Sequence, residues 1–290
     1  MLNEARARKL DGSLLKNYYQ LAFLQNDSPE MQHVISSAQG ELQTHSSVLA
    51  MEADTEAFHG RARAAGNLTE QAISAAVLAG DRESGADAAV TQALWEAEFG
   101  DVSAARKHAS SALALARTRD VQVAAALAFA RAGDSHRSQA LSAMLQKRFP
   151  RDTLLVNYWF PTIQAAVAIS QGKAADAVTS LQGTSRYELG GGVLPFSAGA
   201  SMYPIYLRGE AYLQLKQWAN ATAEFQKIID HRGLVWNFHL SSLSYLQLAR
   251  ALANSDPATA RDAYQRFLGL WQNADAPLFL KAKREYTRIQ

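Results

Sequence analysis

The chain has 290 residues, 48% of them hydrophobic, with 17 glycines, 7 prolines and no cysteine. That is enough apolar material for one large folded domain or two ordinary ones, and too much for a disordered chain. The 29 basic and 27 acidic side chains leave a net charge of +2 and are spread along the length, so a basic face for nucleic acid is not expected.

The missing cysteines exclude disulfides, zinc ribbons and thiol nucleophiles. They leave the compartment open, since a cysteine-free chain tolerates both a cytoplasmic and a periplasmic redox poise. The opening MLNEARARKL lacks the apolar run of a signal peptide. The most apolar window, VQVAAALAFA at 121–130, falls far short of the roughly 20 residues that a membrane helix needs. A soluble domain is expected, with no direct membrane insertion.

From the N-terminus onward, alanine-rich segments carry apolar residues at helical spacing, separated by short Gly, Asp, Ser or Pro breaks. Strand signals are nearly absent, and no Asn-Gly or Asp-Gly turn separates apolar runs. Ser28 before Pro29 reads as a helix start, and Asp256 before Pro257 repeats the device. Breaks between paired helices fall at Asn26, Gly60, Gly100, Gly133, Gly172, Lys216 and Ser255. Their spacing of about 33–44 residues is that of helical-hairpin repeats. One domain over 1–290 is predicted, with hairpins at about 13–40, 45–80, 82–116, 119–149, 153–183, 202–232 and 236–273. An inserted loop over 183–201 and a capping helix over 276–290 complete it. The insertion, GTSRYELGGGVLPFSAGAS, is dense in glycine and long for a compact array, as functional or mobile loops are.

The stretch YLRGEAYLQLKQWANATAEFQKII at 206–229 fixes how the two helices of a hairpin meet. Gly209 and Ala221 are small enough to let two backbones approach, and Tyr212 and Phe225 fill the space on either side. Matching small residues recur at Ala53, Ala93, Ala126, Ala165 and Ala249 on first helices. On second helices they are Ala65, Ala105, Ser138, Ala177 and Ala260. This is the tetratricopeptide pattern, which alternates small and aromatic positions at that spacing. The resemblance implies an all-α, right-handed solenoid of about seven hairpins. The first hairpin departs from it, with Tyr19 and Met31 in the small slots, and is expected to pack differently.

Catalytic signatures are missing. There is no kinase VAIK, HRD or DFG set, no GxSxG elbow and no GxxxxGK[ST] loop. LGGGVLP at 189–195 lacks both the lysine and the preceding strand of a phosphate loop, and reads as a flexible segment. No HExxH occurs, and His231 with His239 would make a poor metal site without carboxylate company. Glu52 and Glu56 read as an exposed face. Both N-x-[ST] matches, at Asn67 and Asn220, read as chance. No cofactor and no metal are expected. An enzyme reading is left with scattered polar residues around Arg186, Glu188, Asp230 and His231.

Binding is the stronger reading. Stacked hairpins curve, and their first helices line a concave surface. The expected groove residues are Trp159, Thr162, Tyr203, Tyr206, Glu210, Leu213, Leu246 and Arg250, with a protein or peptide as ligand and the insertion over 183–201 as a lid. Self-association is compatible with such a surface. Some tetratricopeptide grooves grip a terminal carboxylate with Lys and Asn at fixed positions. Here those positions hold Tyr206 and Glu210, so that clamp is absent.

Further phrases extend the resemblance. AFLQND (22–27), EAEFGD (96–101), KRFPRDT (147–153), RYELG (186–190), EFQKIIDHRG (224–233) and LGLWQNAD (268–275) resemble the C-terminal repeat tail of acidobacterial-type, eukaryotic-like serine/threonine kinases. Similar tails also follow winged-helix DNA-binding heads. The resemblance implies a non-catalytic sensing or recruiting tail whose kinase module lies outside these residues. It also implies a periplasmic location, on the outer side of the membrane, where a membrane helix separates the two.

Overall fold

Helix ends set the repeat of this chain. The computed structural model describes residues 14–190 and 198–289, and every regular element among them is helical. Consecutive helices pair as α1 (Leu15–Gln25) with α2 (Ser28–Ser37), α3 (Leu42–Phe58) with α4 (Ala62–Leu78), and α5 (Arg82–Phe99) with α6 (Val102–Leu115). The series continues with α7 (Arg119–Arg131) and α8 (Ser135–Arg148), α9 (Phe160–Ser170) and α10 (Ala174–Ser180), and α11 (Tyr203–Gln214) and α12 (Trp218–Asp230). A single turn, α13 (Arg232–Val235), leads to α14 (His239–Leu252) and α15 (Pro257–Leu270), and α16 (Pro277–Thr287) ends the chain. No described helix is long and apolar enough to cross a membrane.

Six of the seven predicted turn residues adopt left-handed backbone, with φ between 57° at Asn26 and 95° at Gly100. The mechanism is plain at Gly100. Its N–H bonds Ala97 O and the next N–H, of Asp101, returns to Glu96 O at 2.9 Å, which closes the first helix. The Asp101 carboxylate then accepts the Ala104 N–H at 3.0 Å and opens the second. One residue thus stops a helix and its neighbour starts the next. The second hairpin element corrects the sequence reading: Asp27 is the cap, accepting from Glu30 N, and Ser28 already lies inside the helix. Asp256 caps as expected, on Thr259 N.

Small residues bury where two helices touch. Ala65, Ala93, Ala105, Ala126, Ser138, Ala165, Ala177, Ala221, Ala249 and Ala260 are all fully enclosed. Gly209 is buried there as well. A Cβ built there would lie 2.6–3.0 Å from the ring of Phe225, so the glycine makes room for that aromatic face. Phe225 in turn meets Tyr206 edge-on at 5.7 Å. The first hairpin has a separate small core of Tyr18, Tyr19 and Val34 against Val48 and Met51, as its bulkier slots imply.

The first helices of hairpins two to seven form a closed circuit. α3 packs on α5, α5 on α7, α7 on α9, α9 on α11, α11 on α14, and α14 returns to α3. The closing contacts are specific. The Trp271 indole lies against Gly60, where a Cβ would sit 2.5 Å from the ring, and its N–H donates to Phe58 O at 2.9 Å. Two backbone N–H groups, of Asp275 and Ala276, donate to Gly60 O at 3.1 and 3.2 Å. Asn237 Nδ2 donates to Met51 O and to Thr55 Oγ1, which also pairs with Tyr19 OH. Closure fills the inside of the array with side chains.

Gly209→Ala is expected to overpack Phe225 and cost about 1–3 kcal/mol. Urea unfolding should then show a lower midpoint at unchanged slope, because the loss is in packing and not in the surface exposed on unfolding.

Candidate functional site

Closure decides which predicted groove residues can meet a ligand. Trp159, Thr162, Tyr203, Tyr206 and Leu246 are at most 2% exposed. They belong to the core, and the expectation that they line an open groove is corrected. The reason is that facing inner helices approach until their aromatic side chains interlock. Tyr203 shows the chemistry: its hydroxyl lies 3.2 Å from His239 Nε2. Burial, with Arg131 nearby, pushes that imidazole down to about 3, so it stays neutral beside the hydroxyl. The Thr162 hydroxyl is spent on Tyr158 O.

Glu210, Leu213 and Arg250 do come together. They line a cleft of about 460 Å³ at the ends of α7, α9, α11 and α14, with Lys281 and Glu285 of α16 on its far side. A chain of charge-assisted bonds runs beneath it. Arg131 grips both oxygens of Glu98 at 2.6 Å and reaches Glu210 at 2.7 Å. Gln247 Nε2 donates to Glu210 at 3.2 Å and its carbonyl oxygen accepts from Arg250. Arg250 makes a two-pronged pair with Glu285 at 2.8 and 3.0 Å, and Tyr264 OH donates to the same carboxylate. One network therefore ties α5, α7, α11, α14, α15 and α16.

Burial alone would lower the Arg131 guanidinium, but Glu210 and Glu98 outweigh it and hold it well above its usual range. For Glu210, burial wins over Arg131 and raises the carboxyl. The pair is a buried ionic core at the rim, of the kind whose partner is costly to remove. Glu98, Arg131, Gln247 and Glu285 were not among the predicted residues. A signal existed: Glu98, Arg131, Ser170 and Gln214 each lie five residues after the small residue of their helix, and a polar residue recurs in that register.

Among the described residues no hydrogen bond or ion pair joins any two of the four residues of the enzyme reading. Glu188 is buried and held by Arg208 at 2.6 and 3.0 Å, with Thr184 donating to it as well. Arg186 and Asp230 are exposed, Asp230 accepting from Gln226, and His231 Nδ1 lies 2.7 Å from Lys227 O. The Glu188–Arg208 pair pins the start of the inserted segment to α11. Its end is packed too, since Ala200 and Met202 are buried and Tyr158 OH donates to Ser201 O. Residues 191–197, the middle of the predicted lid over 183–201 with two of the three glycines of its run, lie outside the described residues.

No family model and no curated protein sequence matches this chain. Among solved structures, the crystal structure of the P58(IPK) TPR domain is similar at 11% identity and a TM-score of 0.34, covering 95% of this chain and 88% of that one. A superposition of that quality carries no argument about binding.

Arg131→Ala leaves Glu98 and Glu210 facing each other without a counter-charge. At pH 8 it should destabilise the fold by about 3–5 kcal/mol. Loss of the cation raises the Glu210 carboxyl further, so the variant regains stability as pH falls and protons neutralise it. Denaturation midpoints measured at pH 5 and pH 8 should show the smaller deficit at pH 5.

Proposed function

We propose that the chain is a non-catalytic interaction module that binds a protein or peptide segment at the rim cleft formed by Glu210, Leu213, Arg250, Lys281 and Glu285. The observation that carries the reading is the convergence of these residues from three helices, α11, α14 and α16, on one open cleft. Leu213 supplies an apolar floor. Lys281 is exposed, and Arg250 and Glu285 offer a fork and a carboxylate already oriented by each other. Preorganised charged groups around an apolar contact are a common anchor arrangement. The buried network below keeps those groups from moving when a partner arrives.

A finer reading makes the module the recruiting tail of a bacterial serine/threonine kinase. It is supported by the likeness of phrases such as EFQKIIDHRG (224–233) to such tails. The rival is a tail that follows a winged-helix regulator. The flanking coding sequence separates the two: an in-frame kinase domain supports the first reading and a winged-helix domain contradicts it.

Peptides selected from a random 15-residue display library against the whole chain test the rim cleft. Lys281→Glu reverses an exposed charge and should leave stability within about 0.5 kcal/mol, yet weaken selected peptides by about tenfold or more. Peptides whose affinity ignores Lys281→Glu and Arg250→Ala alike would move the binding surface elsewhere.

A further inference from the structure

Unpartnered polar groups gather in a second cleft, which shares no lining residue with the rim. It occupies about 380 Å³ between α1, α3 and α5, and Gly199 and the segment over 235–237 close it. Most polar groups there are spent within the protein. Ser46 donates to Ala72 O, Ser84 to Asp81, and Asn237 to Met51 O and Thr55. Asp54, Asp87 and Thr91 are not. Among the described residues none of the three side chains has a hydrogen-bond partner, and Asp87 Oδ1 is a fully buried acceptor left empty. Thr91 is only 7% exposed and lines the cleft. A buried acceptor without a donor costs about 1–3 kcal/mol, a cost that Asp87 Oδ1 bears here, and the unpaired oxygens of Asp54 and Thr91 face the same cleft, where a ligand with several donors would satisfy them.

The chemistry of that ligand follows from the lining. Two carboxylates repel anions, and the nearest cation, Lys16, is exposed and drawn to Asp87 and Asp81. Calcium wants six to eight oxygens at close range, and no group of three or more carboxylates or imidazoles converges among the described residues. The aromatic residues Trp95 and Trp236 line the same space, and an indole face attracts an organic cation. We propose that this cleft binds an organic ammonium ion, with Asp54 and Asp87 as counter-charges and Thr91 Oγ1 as a further acceptor.

The acidity of the two carboxyls fits such a role. Burial pushes Asp54 up to about 7, and burial together with Glu83, Asp120 and Asp81 pushes Asp87 to about 7 against the pull of Lys16. The other titratable groups near Asp54 lie with it around Tyr19: Glu52 and Glu56 on α3. A raised carboxyl is neutral below its folded value and ionised above it. Ammonium binding therefore strengthens as pH rises from 6 to 8 and levels off beyond.

Calorimetric titration of the whole chain with 1,5-diaminopentane and, separately, with Nα-acetyl-lysine methylamide tests the site. Affinity should rise about tenfold between pH 6 and pH 8 for each carboxylate engaged. At pH 8, Asp54→Asn and Asp87→Asn should each weaken binding about tenfold or more, and the near-isosteric Thr91→Val by several-fold, with circular dichroism unchanged. Thr91→Val keeps the test decisive if an Asp variant misfolds. Binding of the lysine derivative alone assigns the ligand to a partner's side chain, and binding of the diamine alone assigns it to a free amine; each supports the site. No saturable binding of either cation at millimolar concentration overturns it, as does equal binding of the Nε-acetylated lysine or an affinity that ignores pH. Lys281→Glu should bind both cations normally, so failure here is distinct from failure at the rim cleft.

Discussion

An indole pressed onto a glycine holds the two ends of this array together. Trp271 and Phe58, 213 residues apart, are joined by a hydrogen bond, and the Trp271 ring occupies the space that a side chain at residue 60 would need. Gly60 is also left-handed at φ 69°, so its lack of a Cβ serves the turn and the contact at once. Trp271 is fully buried and meets Phe99 edge-on at 5.0 Å and Phe267 at 4.7 Å. An indole that buries about 150–250 Å² contributes on the order of 4–6 kcal/mol as an upper bound. The neighbouring Arg63–Asp275 pair is exposed on its arginine side, where ion pairs are worth about 0–1 kcal/mol. Packing and backbone bonds close the circuit; charge decorates it.

Closure has a consequence for function. An open array of hairpins offers its concave flank to ligands, but here that flank is core, and Tyr203, Tyr206 and Trp159 are spent on stability. Polar chemistry is displaced to two edges. At the rim, Glu98, Arg131, Glu210, Gln247, Arg250 and Glu285 satisfy one another in sequence, which makes a stiff platform. Between α1, α3 and α5, the side chains of Asp54, Asp87 and Thr91 have no hydrogen-bond partner among the described residues.

Much of the fold was legible in the sequence because the signals were local. Each turn residue acts within one helix end, and each buried alanine reports a crossing between neighbours in sequence. Even the odd first hairpin was visible, since Tyr19 and Met31 are too large for the common crossing. What escaped was long-range. Periodicity along α14 marks which face is apolar, yet it does not say that α14 meets α3, and so the aromatic residues of the inner face were read as a groove. At Gly209 residue size tells that something approaches, and geometry adds that the ring of Phe225 lies nearest. Asp54 and Asp87 went unremarked because a carboxylate on an alanine-rich helix looks solvated until the elements that cover it are known.

Backbone exchange tests closure most directly. The amides of Asp275 and Ala276 lie between α15 and α16, outside any helix, and their acceptor among the described residues is the Gly60 carbonyl. Hydrogen exchange followed by NMR should find both amides protected on the timescale of the buried α14 amides, since all open together when the circuit opens. Exchange of Asp275 and Ala276 at the rate of free peptide, while the helices stay protected, would mean an open array whose ends do not touch.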